Sequence, residues 1–331
     1  MEKAMRKIPL EQLRSEFTGK SYALIVGLGF DLRCLSALCK FPLERTSHIV
    51  GISNARWKDS NRGNITEFER LTSGKGQIVG NNADTVMEIA DGLVAYMQPI
   101  FESPDTSLII DVTALSHELL VVIIGIFSNL SLLDRVTLLY VGASDYSFNT
   151  TDDAVWLSRG VRSIRSILGF PGVMLPSKRL HLIVFAGFEV ERASEVILRY
   201  EPASLSIGLG KREQSVTEAH HSKNKLFFER LNQFIKDQDA GGEEIHHFEF
   251  SCIDPILVKN QLIAHIDEVN KFGERNIVVC PLNTKPSTVG VVLAAIERPE
   301  IQICYAEPDE YNTEGYSKPG TDVNIIPLNF S

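Results

Sequence analysis

The chain carries one pattern twice. Residues 22 to 39 read YALIVGLGFDLRCLSALC, and residues 180 to 197 read LHLIVFAGFEVERASEVI. Each is an apolar run, then Gly-Phe-acid, then an arginine within a few residues, then a second apolar stretch. Later segments pair in the same order: SLIIDVTALS at 107 to 116 with NIVVCPLNTK at 276 to 285, and VTLLYVGASDYS at 136 to 147 with IQICYAEPDEYN at 301 to 312. A period of about 160 residues is far longer than a solenoid repeat and matches one globular domain. This predicts two tandem Rossmann-like α/β domains with mostly parallel sheets, related by internal duplication and arranged as a pseudo-dimer.

With 331 residues, 44% of them hydrophobic, the chain has ample apolar material for two cores. The net charge of −9 argues against nucleic acid as a main partner, which would need a basic surface. The five cysteines, Cys34, Cys39, Cys252, Cys280 and Cys304, show no CxxC spacing and sit mostly in apolar runs, as buried thiols of a reducing compartment do. The N-terminus lacks the apolar core of a signal peptide. The apolar stretch 119 to 133 falls short of the roughly 20 residues that a membrane span needs. A cytoplasmic protein with no membrane partner is the expectation.

Strands are expected at 22–28, 48–53, 107–112 and 135–141 in the first half, with helices at 32–41, about 65–71, 83–103 and 116–130. A connecting helix is expected at 153–168. GFPGVMLPSK, with two glycines and two prolines, reads as a linker over 169–178, which divides the chain into domains 1–168 and 179–331. In the second half, strands are expected at 180–186, 204–208, 276–280 and 301–305, with an additional one in HHFEFS. Helices are expected at about 190–199, 222–237, 253–272 and 286–297, and the tail holds one short apolar piece, VNIIPL. Strand-helix-strand repetition implies right-handed crossovers and parallel pairing.

Ligands of open parallel sheets bind beyond the carboxyl ends of the strands. Here these ends carry Gly29, Asp31 and Arg33, then Asp145 and Tyr146, in the first half, and Gly187, Glu189 and Arg192, then Asn283 to Lys285, then Glu310 and Tyr311, in the second. GLGFDLR places backbone N–H groups at a predicted helix start, a natural anion site, although it is neither GxGxxG nor a P-loop. Asp31 and Glu189 read equally as caps of the first turn, with Arg33 and Arg192 pairing with nearby acids. Asn283-Thr284-Lys285-Pro286-Ser287 follows a buried strand and opens a small-residue helix. Such a loop can hold phosphate through Asn283, Thr284, Lys285 and the free N–H groups of the helix. The matching loop of the first half, Val112 to Ser116, has no lysine.

Two further clusters carry charge or rings. Arg56, Lys58, Arg62, Arg70 and Lys75 face three acids over 55–76, and Lys211, Arg212, Lys223 and Lys225 face two acids over 211–225. Trp57 is placed to stack on a base. Tyr146 and Tyr311 are candidate base-stacking rings at the ends of the fourth strands, or else pack against protein. His220-His221 and His246-His247 lack the spacing of a zinc site, so no metal is expected. No GxSxG elbow occurs.

At NTKPSTVG the chain resembles the CARF group, the CRISPR-associated Rossmann-fold nucleotide sensors, whose loop usually reads closer to TGGTK. The tandem arrangement is similar to that of the fused SAVED-type sensors. The resemblance touches Thr284 and Lys285, and more loosely Gly29 and Gly187. Asn283 and Pro286 stand where those families have glycine and an apolar residue. It implies a shared cleft between two halves, a phosphate-bearing nucleotide as ligand, no other cofactor, and an effector protein as partner in a prokaryotic defence or signalling system. ALIVGLGFDLR also resembles the opening of leucine carboxyl methyltransferases (GxGxDxR), but Ser53-Asn54 stands where an acidic ribose-binding residue should end the second strand.

The leading expectation is therefore a non-catalytic nucleotide sensor. Arg33 and Arg192 would hold phosphate or orient the acids. One alternative is a nucleotide or N-glycosidic-bond hydrolase that uses Asp31, Glu189, Asp145 or Glu310 as acid and base. The other is a protein-binding scaffold without a small ligand.

Overall fold

The computed structural model describes residues 5–18, 21–146, 157–313 and 316–328. The chain order is β1 (Arg6–Pro9), α1 (Leu13–Glu16), β2 (Tyr22–Gly27), β3 (Thr46–Ile52), α2 (Lys58–Leu71), β4 (Gln77–Val79), α3 (Val86–Phe101), β5 (Ser107–Asp111), α4 (His117–Asn129) and β6 (Val136–Tyr146). It continues with β7 (Ser158–Arg159), β8 (Ser163–Pro171), β9 (Leu180–Phe185), α5 (Val190–Tyr200), β10 (Ser204–Gly210), α6 (Glu218–Gln238), β11 (Glu244–Phe250), α7 (Pro255–Val269), β12 (Asn276–Pro281), α8 (Lys285–Glu297), β13 (Gln302–Glu307), β14 (Glu310–Tyr311) and β15 (Ser317–Pro327).

The chain forms two compact α/β units. The first holds a seven-stranded sheet in the order β1-β15-β6-β5-β2-β3-β4. Its strands from β6 through β4 pair in parallel, while β15 pairs antiparallel with β6, and β1 antiparallel with β15. The second holds a six-stranded sheet, β11-β10-β9-β12-β13-β8, parallel except for β8. In chain order the parallel strands of each sheet run 3-2-1-4-5, the doubly wound pattern in which the crevice opens between the first and fourth strands. β2 and β9 are buried along nearly their whole length, as continuous apolar runs in a two-sided parallel sheet must be.

Four expectations are corrected. The stretch 32–41 is not an α-helix. Its bonds are mostly i to i+3 turns, Cys34 N–H to Asp31, Ser36 to Arg33 and Lys40 to Ala37, ending in a 3₁₀ turn at Leu38–Lys40. A ten-residue helix has little cooperativity of its own, and the turns let Cys34, Leu35, Ala37, Leu38 and Phe41 all be buried. The expected helix at 153–168 begins outside the described residues, and from Ser158 onward it is β7 and β8. Val161, Ile164 and Ile167 mimic a helical period, but Gly160, at φ +64, turns the chain where a side chain would strike Asp309. The linker reading of 169–178 changes with it, because β8 runs to Pro171 as an edge strand of the second sheet. The tail does not join the second unit: β15 pairs with β6, and the first unit consists of residues up to 147 together with those from 313. HHFEFS, but for its final Ser251, lies within β11, and the short helix expected near 65–71 extends back to Lys58.

Candidate functional site

At the carboxyl end of the first sheet, Asp31 and Arg33 form a buried ion pair. Arg33 Nη2 lies 2.6 Å from Asp31 Oδ2, and both side chains are almost wholly enclosed. Asp31 Oδ1 also accepts from the Arg33 backbone N–H at 2.9 Å and from the Ser317 hydroxyl at 2.8 Å. Arg33 Nη1 donates to the carbonyl of Val141 in β6, and its guanidinium lies 5.7 Å from the centre of the Tyr146 ring. Burial alone would lower the pKa of Arg33, but the Tyr146 hydroxyl and Asp31 hold it well above its ordinary value.

The second sheet repeats this assembly with different spacing. Arg192, in the first turn of α5, donates to Glu189 Oε2 at 2.6 Å and to the carbonyl of Ala306 in β13 at 2.5 and 2.9 Å. The Ser158 hydroxyl donates to the other oxygen of Glu189. The guanidinium lies 5.6 Å from the centre of the Tyr305 ring. Burial opposes the charge on Arg192, yet Glu189, Tyr311 and Tyr305 raise its pKa above the usual range. In both units the hydroxyl of the later tyrosine bonds the earlier one, Tyr146 to Tyr140 and Tyr311 to Tyr305, and burial raises the pKa of both Tyr146 and Tyr311. Each assembly ties the first strand-end loop to the fifth parallel strand and to a serine of an added strand, β15 or β7.

This geometry separates the two roles weighed for these residues. Arg33 and Arg192 orient the acids and fasten strands. Asp31 caps locally through the Arg33 N–H, whereas Glu189 makes no such cap bond at the start of α5. Asp145 and Glu310 are exposed, opposite Lys318 and Arg159 in antiparallel pairs. A general acid or base must reach a substrate proton, and the oxygens of Asp31 and Glu189 are already engaged by protein donors.

Around the fourth strand-end loop of the second unit, two asparagines converge on one carbonyl. Asn224 of α6 and Asn283 both donate to the Ala186 oxygen, at 2.8 and 2.6 Å, and Asn224 Oδ1 accepts from the Gly210 N–H at 3.0 Å. The loops after β9, β10 and β12 are thereby clamped together. Gly187 makes the closeness possible, since a Cβ there would lie 1.7 Å from the Leu282 oxygen. Thr284 caps α8, accepting from the Ser287 N–H, and its hydroxyl donates to the Cys252 carbonyl at 2.5 Å. Asn283 and Thr284 thus shape the loop, while Lys285, half-buried, begins α8. Lys211 adjoins Gly210 and Lys223 adjoins Asn224, both also half-buried, and the exposed Arg212 pairs with Glu218.

The first unit differs at the matching place. Gly27 and Gly29 lie close against Leu115 and Ala114, so the first and fourth loops close on each other there as well. The loop from Val112 to Ser116 has no lysine, and before it, where β12 has Cys280, β5 ends in Asp111, which is 1% exposed. Asp111 Oδ1 accepts from the Thr113 N–H at 3.0 Å, and Oδ2 has no partner. Burial raises its pKa from 3.8 to about 6. Trp57, the proposed stacking ring, lies 4.8 Å from the Arg56 guanidinium. Of the basic residues near it, Arg62 and Arg70 form exposed helix pairs with Asp59 and Glu67.

Sequence reasoning missed Asn224, Ser317, Ser158 and Asp111. Asn224 had one local signal, a polar residue in the buried stripe of an amphipathic helix. The serines had none, because their partners are distant in sequence. No helix among the described residues is long and apolar enough to cross a membrane. No protein-family model matches this chain, and no curated protein matches it significantly.

Proposed function

We propose that this protein is a cytoplasmic nucleotide-binding sensor of the CARF-like kind, and that its second unit takes the phosphate of the ligand at the carboxyl ends of its strands. The observation that carries this reading is the clamp on the Ala186 carbonyl. It gathers three strand-end loops and sets Lys211, Lys223 and Lys285 beside them, at the start of a buried helix whose N–H groups favour an anion. In a chain of net charge −9, such a local basic rim is a departure that an anionic ligand accounts for. The first unit is the poorer phosphate site, because its matching loop, Val112 to Ser116, has no lysine and follows directly on the buried carboxyl of Asp111. The common strand order and the paired acid–arginine–tyrosine–serine assemblies support descent of both units from one ancestral domain. Hydrolysis is the weaker reading, since its two buried candidate acids hold arginines.

The test is mass spectrometry of small molecules released on denaturing freshly purified protein, with a K223A/K285A variant alongside. An intact nucleotide from the wild type, reduced at least about tenfold in the variant, supports the sensor. Cleaved product would favour the hydrolase. No nucleotide from the wild type, and no thermal stabilisation by added nucleotides, would overturn the reading in favour of a protein-binding scaffold.

A further inference from the structure

The opposite end of the second sheet holds a chain of hydrogen bonds that no ligand reading uses. His181, on β9, is fully buried. Its Nδ1 lies 2.7 Å from the Ser204 hydroxyl and its Nε2 lies 2.8 Å from the Ser206 hydroxyl, both on β10. His265 Nε2, from α7, approaches the same Ser206 oxygen at 2.7 Å. Arg275 Nη1 donates to Ser204 at 2.9 Å. β9, β10 and α7 are thus joined through one row of side chains.

The donors order this row. A guanidinium only donates, so the Ser204 oxygen accepts from Arg275 and passes its own proton to His181 Nδ1. Neutral His181 then donates from Nε2 to Ser206, and Ser206 donates to His265 Nε2. Every hydroxyl proton has an acceptor in this order, and the reverse order would strand the one on Ser204. His265 is therefore held as an acceptor at Nε2. A proton arriving there would set two N–H donors against the Ser206 oxygen and strand the serine proton. We propose that this row is a proton-operated latch, which fixes α7 to the sheet while both imidazoles are neutral and releases it when they charge.

The surroundings favour release on charging. His246 on β11 lies 5.8 Å from the His181 ring and 6.5 Å from the His265 ring, and Phe248 stacks on His265 at 4.4 Å. The charged groups nearby are Arg275, Glu244, which accepts from Arg275 at 3.0 Å and lies 3.5 Å from His246, and Glu268 on α7. Burial first, then neighbouring imidazoles, lowers the pKa of His181 to about 3, with Arg275 adding to it. Burial and His246 lower that of His265 to about 4, against a smaller opposing pull from Glu268. Among the described residues no group of three His, Cys, Asp or Glu side chains is placed to hold a metal ion. The latch does not depend on the nucleotide reading.

The sign follows from linkage. The latched form binds fewer protons than the released form below the ordinary histidine pKa, so acid favours release. Hydrogen exchange of the full chain at about pH 7.5 and about pH 5, corrected for intrinsic amide rates, reads the opening of α7. That opening should rise by about 30-fold for each histidine that charges only in the released form. His265→Gln can still accept from Ser206 but cannot charge, so its rise should be smaller by that factor. No rise in the wild type, or an equal rise in H265Q, would overturn the latch. A second measurement stands if H265Q does not fold: ¹⁵N imidazole shifts of the wild type at neutral pH. A bare Nε2 on His265 with a protonated Nε2 on His181 supports the order, and a protonated Nε2 on His265 overturns it.

Discussion

Replacing Asp111 with asparagine removes a charge from the interior of the first unit while keeping the shape of the side chain. Asp111 is 1% exposed, and its Oδ1 accepts from the Thr113 backbone N–H. Burial raises its folded pKa to about 6, against smaller lowering effects of the Thr113 hydrogen bonds and of Arg33. A carboxyl with a raised folded pKa favours folding while protonated. Its ionisation therefore costs stability as pH climbs from the unfolded value toward the folded one. The gap from 3.8 to about 6 corresponds to about 3 kcal/mol once ionisation is complete, at about 1.4 kcal/mol per tenfold. About 2 kcal/mol of that develops between about pH 4.5 and pH 7.5. Asparagine does not titrate, but its amide lacks an acceptor where Oδ2 has no partner, a pH-independent cost of about 1–3 kcal/mol. The informative quantity is thus the change of the variant-minus-wild-type stability with pH. Urea unfolding followed by Trp57 fluorescence, with Trp156 replaced by phenylalanine in both proteins, should show D111N gaining about 2 kcal/mol on the wild type over that range. This is about 1 M in midpoint at a typical denaturant slope. A difference that stays flat with pH would refute the assignment of a buried, mostly uncompensated carboxylate.

Two further outcomes follow from the same structure. Arg192→Ala leaves Glu189 buried without its cation and frees the Ala306 carbonyl. The second unit should lose about 3–5 kcal/mol, read by thermal unfolding, while a loss near 1 kcal/mol would mean that the pair is solvated. Gly187→Ala drives a Cβ into the Leu282 carbonyl and should cost more than about 3 kcal/mol. Gly63→Ala, in α2 with open space around it, should stabilise the first unit by about 0.5–1 kcal/mol; comparable effects at the two sites would contradict the packing described.

Reading the sequence located most of the parallel strands, because strands buried on both faces are continuous apolar runs bounded by turn residues, and that signal is local. β2, β5, β9 and β12 are such runs. It also located α4 and α8, where the capping residues Ser116 and Thr284 stand within a few residues of apolar stretches. The repeated Gly-Phe-acid and arginine pattern was legible, and so was the convergence of polar residues at the strand ends. Tertiary structure decided what those residues do. Arg33 and Arg192 could have faced a ligand, but each finds a carbonyl on a strand more than a hundred residues away, and neither partner is written next to it. The same holds for β8 and β15. An antiparallel strand of mixed polarity carries no periodicity that separates it from a helix or a tail, and only pairing places it, β8 at the edge beside β13 and β15 between β6 and β1. Local pattern sets which segments can be strands or helices. Which polar groups are left to meet a ligand depends on pairings over long sequence distances, and those are settled when the sheets close.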